Sequence, residues 1–225
     1  MNTGRWASNA QNNFFTRLGS ILPNLKGEVM RTSSLSLLQD PMVVVLAAGH
    51  GGSDSGATNP PHNERDQAIT ITNRAAALLQ RRNVDVEIAP HDEDTDKSIV
   101  WVNRNFSFGD AWVLELHRDS ADGLDLDDAS RRCGIYYGTS ERSKDVGEFV
   151  RRSLLLHGAH SQSWARPDTA SRFGRLGWIR QTRPAAHLLE LGFMQGKNDD
   201  AHLSWLAEVA ASAIFEAFTG RSWNL

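Results

Sequence analysis

The sequence has little of several features that would assign it to a class of protein at once. Its 225 residues contain a single cysteine, Cys133, which excludes an internal disulfide framework and a cysteine-rich zinc site. No apolar run approaches the roughly 20 residues that cross a bilayer, so we expect no membrane insertion. Lys and Arg number 24 against 27 Asp and Glu, and the net charge of −3 gives no electrostatic case for binding nucleic acid.

Residues 1–40 carry no motif that we can connect with chemistry. Met1–Phe15 is polar and lacks the apolar central segment of a secretion signal. We therefore expect synthesis in the cytoplasm without a signal peptide, and action elsewhere only after release. Apolar residues at roughly helical spacing are followed by Pro23 and Gly27, which favours an amino-terminal extension that is partly helical or mobile. The main domain then spans 41–225.

One glycine-rich stretch organises the rest of the chain. The apolar run Met42–Ala48 ends in the Gly-His-Gly-Gly sequence of residues 49–52, a pattern typical of a buried strand that stops at a sharp turn. The glycines leave room beside His50. An imidazole is therefore expected at the carboxyl end of a core strand, where open α/β sheets bind their ligands. On this stretch alone, a histidine in an ordinary turn is the alternative.

Apolar spacing along the main domain alternates between strand and helix patterns. Strands are predicted at Met42–Ala48, Val84–Ile88, Ala111–Leu116, Gly134–Tyr137, Leu176–Thr182 and Pro184–Leu191. Helices are predicted from Glu64 to Asn83, around Ile99–Phe106, over Glu141–Leu156 and over Leu203–Ala217, with a long surface loop at Gly158–Arg175. This alternation predicts one α/β domain with a twisted, mostly parallel (mixed) sheet of about six strands, flanked by helices on both faces.

Three ionisable residues lie at the ends of separate predicted elements. His50 follows the first strand, Glu64 opens the first helix, and His117 ends the third strand. Two histidines and one carboxylate, with one coordination position left open for water, are a set of zinc ligands that hydrolases use. The three residues are distant in sequence, so their spacing alone is weak support. The α/β fold strengthens the hypothesis because it brings strand ends together.

Glu190 is a further candidate, because a carboxylate within the apolar run 185–193 is costly to bury unless it is paired or functional. Strand alternation puts Ala186, Leu188 and Glu190 on one face and His187 on the other. We therefore interpret His187 as a structural histidine. From the residues alone, Glu190 is either catalytic or an ion-paired core residue.

Taken in order, these residues resemble the zinc-dependent N-acetylmuramoyl-L-alanine amidases, a family that includes bacterial cell-separation amidases and phage endolysins. The similarity spans 42 to about 218 and rests on Gly49–Ala57, Glu64, Glu115–His117 and Leu189–Phe193. The resemblance implies a twisted, mostly parallel sheet flanked by helices. It also implies one Zn²⁺ per chain, bound by His50, Glu64 and His117, with Glu190 as the catalytic glutamate.

The reaction implied by the resemblance is hydrolysis of the amide that joins the lactyl group of N-acetylmuramic acid to L-alanine in peptidoglycan. Bound zinc would polarise the carbonyl group and lower the pKa of its water towards roughly 7. Glu190 would take the water proton and return it to the departing amine. An apolar strand environment would favour the raised pKa that this work needs.

Two positions depart from the family pattern. Ala47-Ala48 stands where the family usually has Asp-Pro, and Glu115 stands where it usually has a small residue. Alternation places Glu115 on the same face as His117, so Glu115 either orients a metal ligand or competes for the metal, and we favour the first role. Arg180 either assists the reaction or holds a substrate carboxylate, or it forms a structural ion pair, which we favour.

Some cell-separation amidases of this family carry a long insertion after the second zinc histidine, with a helix that plugs the site. Only 16 residues separate His117 from Gly134 here (134 − 117 − 1). We therefore expect an open site that acts on peptidoglycan without an activator protein. The biological role expected is that of a phage-type endolysin released through a holin-type pore, with an amidase exported by another route as the alternative.

Two other functions stay open at the level of sequence. A zinc peptidase or carboxypeptidase could act on the stem peptide, and its carboxylate-binding group would be Arg180 or an arginine of residues 166–175. A wall-binding module without activity would bind metal but release no product. The nature of the products separates these possibilities from the amidase.

Overall fold

In the computed structural model, residues 43–121 and 129–224 are described. The strands in these ranges are β1 (Val43–Ala48), β2 (Thr58–Asn59), β3 (His62–Asn63), β4 (Val86–Ile88), β5 (Ala111–Asp119), β6 (Cys133–Tyr137), β7 (Trp164–Pro167) and β8 (Ala185–Phe193). β2 and β3 form a small hairpin. The other six strands form one sheet in the order β4-β1-β5-β8-β6-β7.

The sheet is mixed and mostly parallel, which confirms the prediction from the sequence. β4, β1, β5 and β8 run parallel to one another, and β6 runs parallel to β7. The β6–β8 pair is the antiparallel one in this sheet. Val44, Val45 and Leu46 are completely buried, as expected for a parallel strand that is covered on both faces.

The described residues form five α-helices, which are α1 (Glu64–Gln80), α2 (Thr95–Asn105), α3 (Glu141–Leu156), α4 (Gly177–Gln181) and α5 (Asp200–Thr219). Each of the four longer helices begins after a residue whose side chain accepts a hydrogen bond from a backbone N–H of the first turn. These N-caps are Asn63, Asp94, Ser140 and Asp199. The caps fix where the helices begin, and in particular fix α1 directly after β3.

The helices cover both faces of the sheet, as predicted. α1, α3 and α5 pack over a large apolar core on one face, which includes Leu46 of β1. α2 and α4 pack on the other face over a smaller core that contains Val45 and Val113. Because strand side chains alternate, Glu115 and His117 lie on the same face as Val113. The smaller core therefore lies beside the candidate site.

The predicted strand at Leu176–Thr182 is wrong, because this segment forms the helix α4. Trp178 is 1% exposed and belongs to the smaller core together with Ile99 of α2. Both edges of β8 are occupied, by β5 and by β6, so a strand in this segment could not pair with β8. Burial of the Trp178 indole against the sheet therefore favours the helix α4 over a strand in this segment.

The predicted surface loop at Gly158–Arg175 is wrong in its middle. Trp164–Pro167 forms β7, which pairs in parallel with β6, and Asp168–Ala170 forms a single turn of 3₁₀-helix. Four residues are too few to show a strand alternation in the sequence. Pro167 is compatible with β7 because this strand lies at the edge of the sheet.

Two predictions concern residues outside the described ranges. The first is the amino-terminal extension, residues 1–40. The second is the open site without a plugging helix, because residues 122–128 of the connection between His117 and Gly134 lie outside the described ranges. Both stay predictions. Within the described ranges, no helix combines the length and the apolar character that crossing a membrane requires.

Candidate metal centre

The three predicted ligands converge at the carboxyl ends of β1 and β5. His50 lies in the turn after β1, Glu64 is the first residue of α1, and His117 lies near the end of β5. One side-chain donor atom of each residue lies within 4.8 Å of those of the other two. Parallel pairing of β1 with β5 runs up to Ala48 opposite Leu116, and this register brings the two histidines close together.

Glu64 bridges the two histidines. Its Oε1 lies 2.8 Å from Nδ1 of His117, and its Oε2 lies 3.2 Å from Nε2 of His50. The backbone N–H of Arg118 donates to Oε1 at 3.1 Å, and that of Ala57 donates to Oε2 at 2.9 Å. Since both oxygens are held by the backbone, the carboxylate is fixed between the rings. Nε2 of His50 and Nδ1 of His117 therefore face the centre of the cluster.

The space beside His50 comes from a glycine that the sequence interpretation did not single out. A Cβ added at Gly56 would lie 2.4 Å from Cδ2 of His50, and Gly56 has a φ of +64°, which glycine adopts without steric cost. A Cβ at Gly49 would lie 2.4 Å from the ring of His117. Gly51 instead packs against the backbone of Glu93, where an added Cβ would lie 2.0 Å from the carbonyl oxygen.

Each histidine has a carboxylate on the nitrogen that faces away from the cluster. Asp54 Oδ2 lies 2.7 Å from Nδ1 of His50. Glu115 Oε2 lies 3.0 Å from Nε2 of His117, and its Oε1 accepts a hydrogen bond of 3.2 Å from the hydroxyl of Thr95. Carboxylates in this position fix the orientation of a metal-binding imidazole. Glu115 lies beside the nitrogen of His117 that faces away from Glu64, and its role as the residue that orients this ligand stays a prediction.

The electrostatics of the cluster favour bound positive charge. Burial works to raise the pKa of Glu64, but hydrogen bonds with His117 and His50 hold that pKa well below its usual range. Burial opposes charge on His117, yet Glu115 and Glu64 raise its pKa well above the usual value. The pKa of His50 is also raised, against burial, by Glu64. Protons and a divalent cation therefore compete for the same nitrogen atoms.

Glu190 lies beside His117 on the neighbouring strand. The β5–β8 register pairs these two residues directly, and neighbouring strands lie about 4.8 Å apart. Its Oε2 is buried and has no hydrogen-bond partner among the described residues. Burial raises the pKa of Glu190 to about 7. A carboxyl group with this pKa can both accept and donate a proton near neutral pH.

His187 lies on the opposite face of β8 and has a structural role, as predicted. Trp112 donates its indole N–H to Nδ1 of His187 at 3.0 Å, and Nε2 lies 3.1 Å from the hydroxyl oxygen of Ser143. Burial lowers the pKa of His187 to about 4, so the ring is neutral at physiological pH. It contributes to the core rather than to the cluster.

Arg180 forms the ion pair that we favoured from the sequence. Its Nε and Nη2 both donate to the carboxylate of Asp168, which is completely buried. The same carboxylate accepts a hydrogen bond of 3.3 Å from the backbone N–H of Leu176. Arg180 therefore connects α4 to the segment after β7.

The sequence interpretation missed Asp54 and Arg118, which hold the site in place. Arg118 is completely buried, and its Nη2 donates to the carbonyl oxygens of Phe193 at 3.0 Å and Lys197 at 2.7 Å. This fixes the segment that follows β8. Asp54 follows His50 by four residues in a glycine-rich turn, which was a usable signal. For Arg118 the sequence offers none, since its partners, two backbone carbonyl groups and Oδ1 of Asn198, lie far away along the chain.

An open α/β sheet with a His–Glu–His cluster at its strand ends is typical of mononuclear zinc hydrolases. The model of the N-acetylmuramoyl-L-alanine amidase family matches residues 44–219. The chain belongs to this family, as the sequence resemblance implied.

Curated relatives include staphylococcal proteins. The chain is 26% identical over 180 residues to the probable cell wall amidase LytH of Staphylococcus saprophyticus, an alignment that covers 79% of this chain and 56% of LytH. It is 26% identical over 160 residues to LytH of Staphylococcus aureus, covering 70% of this chain and 50% of that protein. The chain thus spans about half the length of these relatives.

Solved structures with the same fold include three amidases. AmiC2 of Nostoc punctiforme superposes with a TM-score of 0.63 at 23% identity, covering 80% of this chain and 98% of that one. The catalytic domain of CwlV from Bacillus (Paenibacillus) polymyxa gives 0.59 at 22%, covering 77% and 96%. CwlD of Clostridioides difficile, in complex with the GerS lipoprotein, gives 0.62 at 16%, covering 80% and 100%. These similarities establish the fold.

Proposed function

We propose that this chain is a zinc-dependent amidase that hydrolyses the bond between the lactyl group of N-acetylmuramic acid and L-alanine in peptidoglycan. The observation that carries the proposal is Glu190 beside the cluster of His50, Glu64 and His117. Family membership supports the choice of bond, and LytH, AmiC2 and CwlV are all described as amidases.

The three clustered side chains would hold one Zn²⁺ ion. Two imidazoles and one carboxylate are a three-ligand set that leaves a coordination position for water. Bound zinc supplies a Lewis acid for the scissile carbonyl group and lowers the pKa of the bound water. Asp54 and Glu115 would keep the rings of His50 and His117 in orientation through the nitrogens that face away from the cluster.

Glu190 would carry the proton through the reaction. Its carboxylate accepts a proton from water as the water oxygen bonds to the carbonyl carbon. When the C–N bond breaks, the same carboxyl group donates that proton to the nitrogen of L-alanine. The second proton of the water remains on the new carboxylic acid and then passes to the amine, so the products at neutral pH are a lactyl carboxylate and an ammonium group, and Glu190 returns to its ionised form.

Mass spectrometry of the fragments released from purified peptidoglycan tests this function. We expect free stem peptides that begin with L-alanine, and we expect their loss when a chelator removes zinc. Shortened peptides still attached to sugar would instead identify a zinc peptidase. No release by folded, zinc-loaded protein would identify a wall-binding module. Activity of the purified chain alone would confirm the prediction that no activator protein is needed.

The lytic role as an endolysin stays a prediction and has its own test. Purified protein added to isolated cell walls should reduce their turbidity, whereas a Glu190→Gln variant should not. Expression of the chain together with a pore-forming holin should lyse cells, and expression without it should not. Lysis without the pore would instead indicate another export route.

A further inference from the structure

The row of side chains that contains His117 and Glu190 continues across β6 and β7. Glu190 pairs with Gly134 of β6, and Gly134 pairs with Trp164 of β7. A Cβ added at Gly134 would lie 2.1 Å from Cε2 of Trp164, so the indole lies directly over this glycine and extends towards Glu190. The strand of Trp164 is two strand spacings, or about 10 Å, from that of Glu190.

Trp164 orients the guanidinium group of Arg166. Cζ of Arg166 lies 4.9 Å from the centre of the indole of Trp164. The centre of the Tyr136 ring, on β6, lies 4.5 Å from the centre of the same indole. Arg166 is exposed, and within the described ranges no hydrogen bond or ion pair engages it. Stacking on an aromatic ring restricts a guanidinium group while leaving its N–H donors available.

The strand that carries this arginine is anchored at its end. Asp168 follows β7 directly, is completely buried, and accepts two hydrogen bonds from Arg180. The anchor holds β7 in place beside β6, so Trp164 and Arg166 keep a fixed position relative to Glu190. A ligand that binds here would not need to order the strand first.

The two rims of the site differ in charge. On the β7 side, Arg166 and Arg172 both lie near Tyr136 and have no carboxylate partner within the described ranges, and Arg172 stacks on Phe173. On the β1 side, Asp54 contacts His50, and the acidic segment 91–94 packs against the glycine turn after His50. An anionic part of a substrate is therefore attracted towards β7 and repelled from β1.

We propose that Arg166, oriented by Trp164, binds the carboxylate of the glutamate that follows L-alanine in the stem peptide. The scissile amide joins an amino sugar to this acidic peptide, so the peptide would leave the zinc centre on the β7 side. Two residues of extended chain span about 7 Å, which brings that carboxylate within reach of a long side chain from β7. The planar guanidinium group matches a carboxylate with two parallel hydrogen bonds.

This inference rests on the proposed function and predicts a preference between two substrates. The substrates are muramoyl-peptides that differ only in whether the glutamate carboxylate is free or amidated. Zinc-loaded full chain should prefer the free acid by about tenfold in kcat/KM, mainly through KM, because a charge-assisted hydrogen bond is lost with the amide. Arg166→Gln should remove the preference, and Arg166→Lys should keep part of it.

Matched variants separate this role from a general effect on folding. Arg152 is an exposed arginine of α3, on the opposite face of the sheet, and Arg152→Gln should leave the preference unchanged. Trp164→Leu removes the aromatic face and should weaken the preference, whereas Trp164→Phe should retain it. Circular dichroism melting curves would establish that each variant is folded.

Equal kcat/KM for both substrates, or a preference that survives Arg166→Gln, would overturn the inference while leaving the amidase function intact. If neither substrate is cleaved, the proposed function fails, and calorimetry with the two free stem peptides decides the inference alone. Tighter binding of the acidic peptide by wild type, lost in Arg166→Gln, would support it. Equal binding of both peptides by wild type would overturn it.

Discussion

Glu64 and Glu190 are glutamates of the same site, yet their surroundings move their pKa values in opposite directions. Hydrogen bonds with two imidazoles hold the pKa of Glu64 well below its usual range, in spite of burial. Burial without a hydrogen-bond partner for Oε2 raises the pKa of Glu190 to about 7. Such a difference separates a permanent anion from a group that exchanges protons. Glu64 is thus suited to bind a cation, and Glu190 to act as a base.

The pKa of Glu190 predicts the acid limb of the activity profile. A general base acts in its ionised form, so kcat/KM at saturating zinc should rise with pH up to about 7 and then level off. Below that pH it should fall by about tenfold per pH unit as the carboxylate becomes protonated. Initial rates between pH 5 and 8 measure this limb. The Glu190→Gln variant should lose about 10²–10⁴-fold in kcat while keeping its zinc. A flat profile in wild type would contradict the assignment.

Replacing Asp54 should weaken zinc binding even though all three predicted metal ligands remain in the chain. Its carboxylate lies 2.7 Å from Nδ1 of His50 and fixes the ring that presents Nε2 to the cluster. Asp54→Asn should weaken zinc binding by about 10–100-fold, as is usual for the partner of a metal-binding histidine. Competition with a chromophoric chelator measures the affinity. Asp85→Asn, at an exposed position before β4, is the matched control and should bind zinc like wild type. Equal affinity in both variants would argue against the orienting role.

At the scale of elements, the pairing of β6 with β7 depends on one glycine. A Cβ at Gly134 would lie 2.1 Å from Trp164, closer than any ordinary contact, so Gly134→Ala must displace the indole or the strand. Overpacking of this kind should cost about 1–3 kcal/mol in the free energy of unfolding, measured by urea denaturation. Gly138→Ala is the matched control, since its Cβ would lie 3.5 Å from Ile179, an ordinary distance. Equal stability of the two variants would show that β7 moves freely.

The elements also show which structure can be predicted from the sequence. The buried run of β1 and its glycine turn form a continuous local pattern, and the ends of β5, β8 and α1 can be located in the same way. The sequence therefore predicted His50, Glu64, His117 and Glu190 together. β7 and α4 depend instead on partners distant in sequence. β7 needs the edge of β6, and α4 needs the core that receives Trp178, so local patterns did not reveal either.

At the scale of the whole molecule, the strand order of the parallel sheet places the charged side chains of the candidate metal centre close together. The ligands come from three elements, and the order β1-β5-β8 places His50, His117 and Glu190 side by side. Three carboxylates contact the two histidines, namely those of Glu64, Glu115 and Asp54. Glu64 raises the pKa values of both histidines, which favours positive charge on the rings. The three carboxylates therefore repel one another in the folded state, and a divalent cation would reduce this repulsion.

Zinc should consequently stabilise the whole chain against unfolding. An ion that binds the folded state alone contributes about 4 kcal/mol when its free concentration is a thousand times Kd. For a domain of this size, that corresponds to a rise in Tm on the order of 10 °C. Scanning calorimetry with zinc, with chelator and with Mg²⁺ measures it, and only zinc should produce the full shift. The shift should shrink towards pH 5.5, because the raised pKa values of His50 and His117 let protons compete. A His50→Ala variant should lose most of the zinc shift, and an equal Tm for wild type in zinc and in chelator would rule out the metal centre.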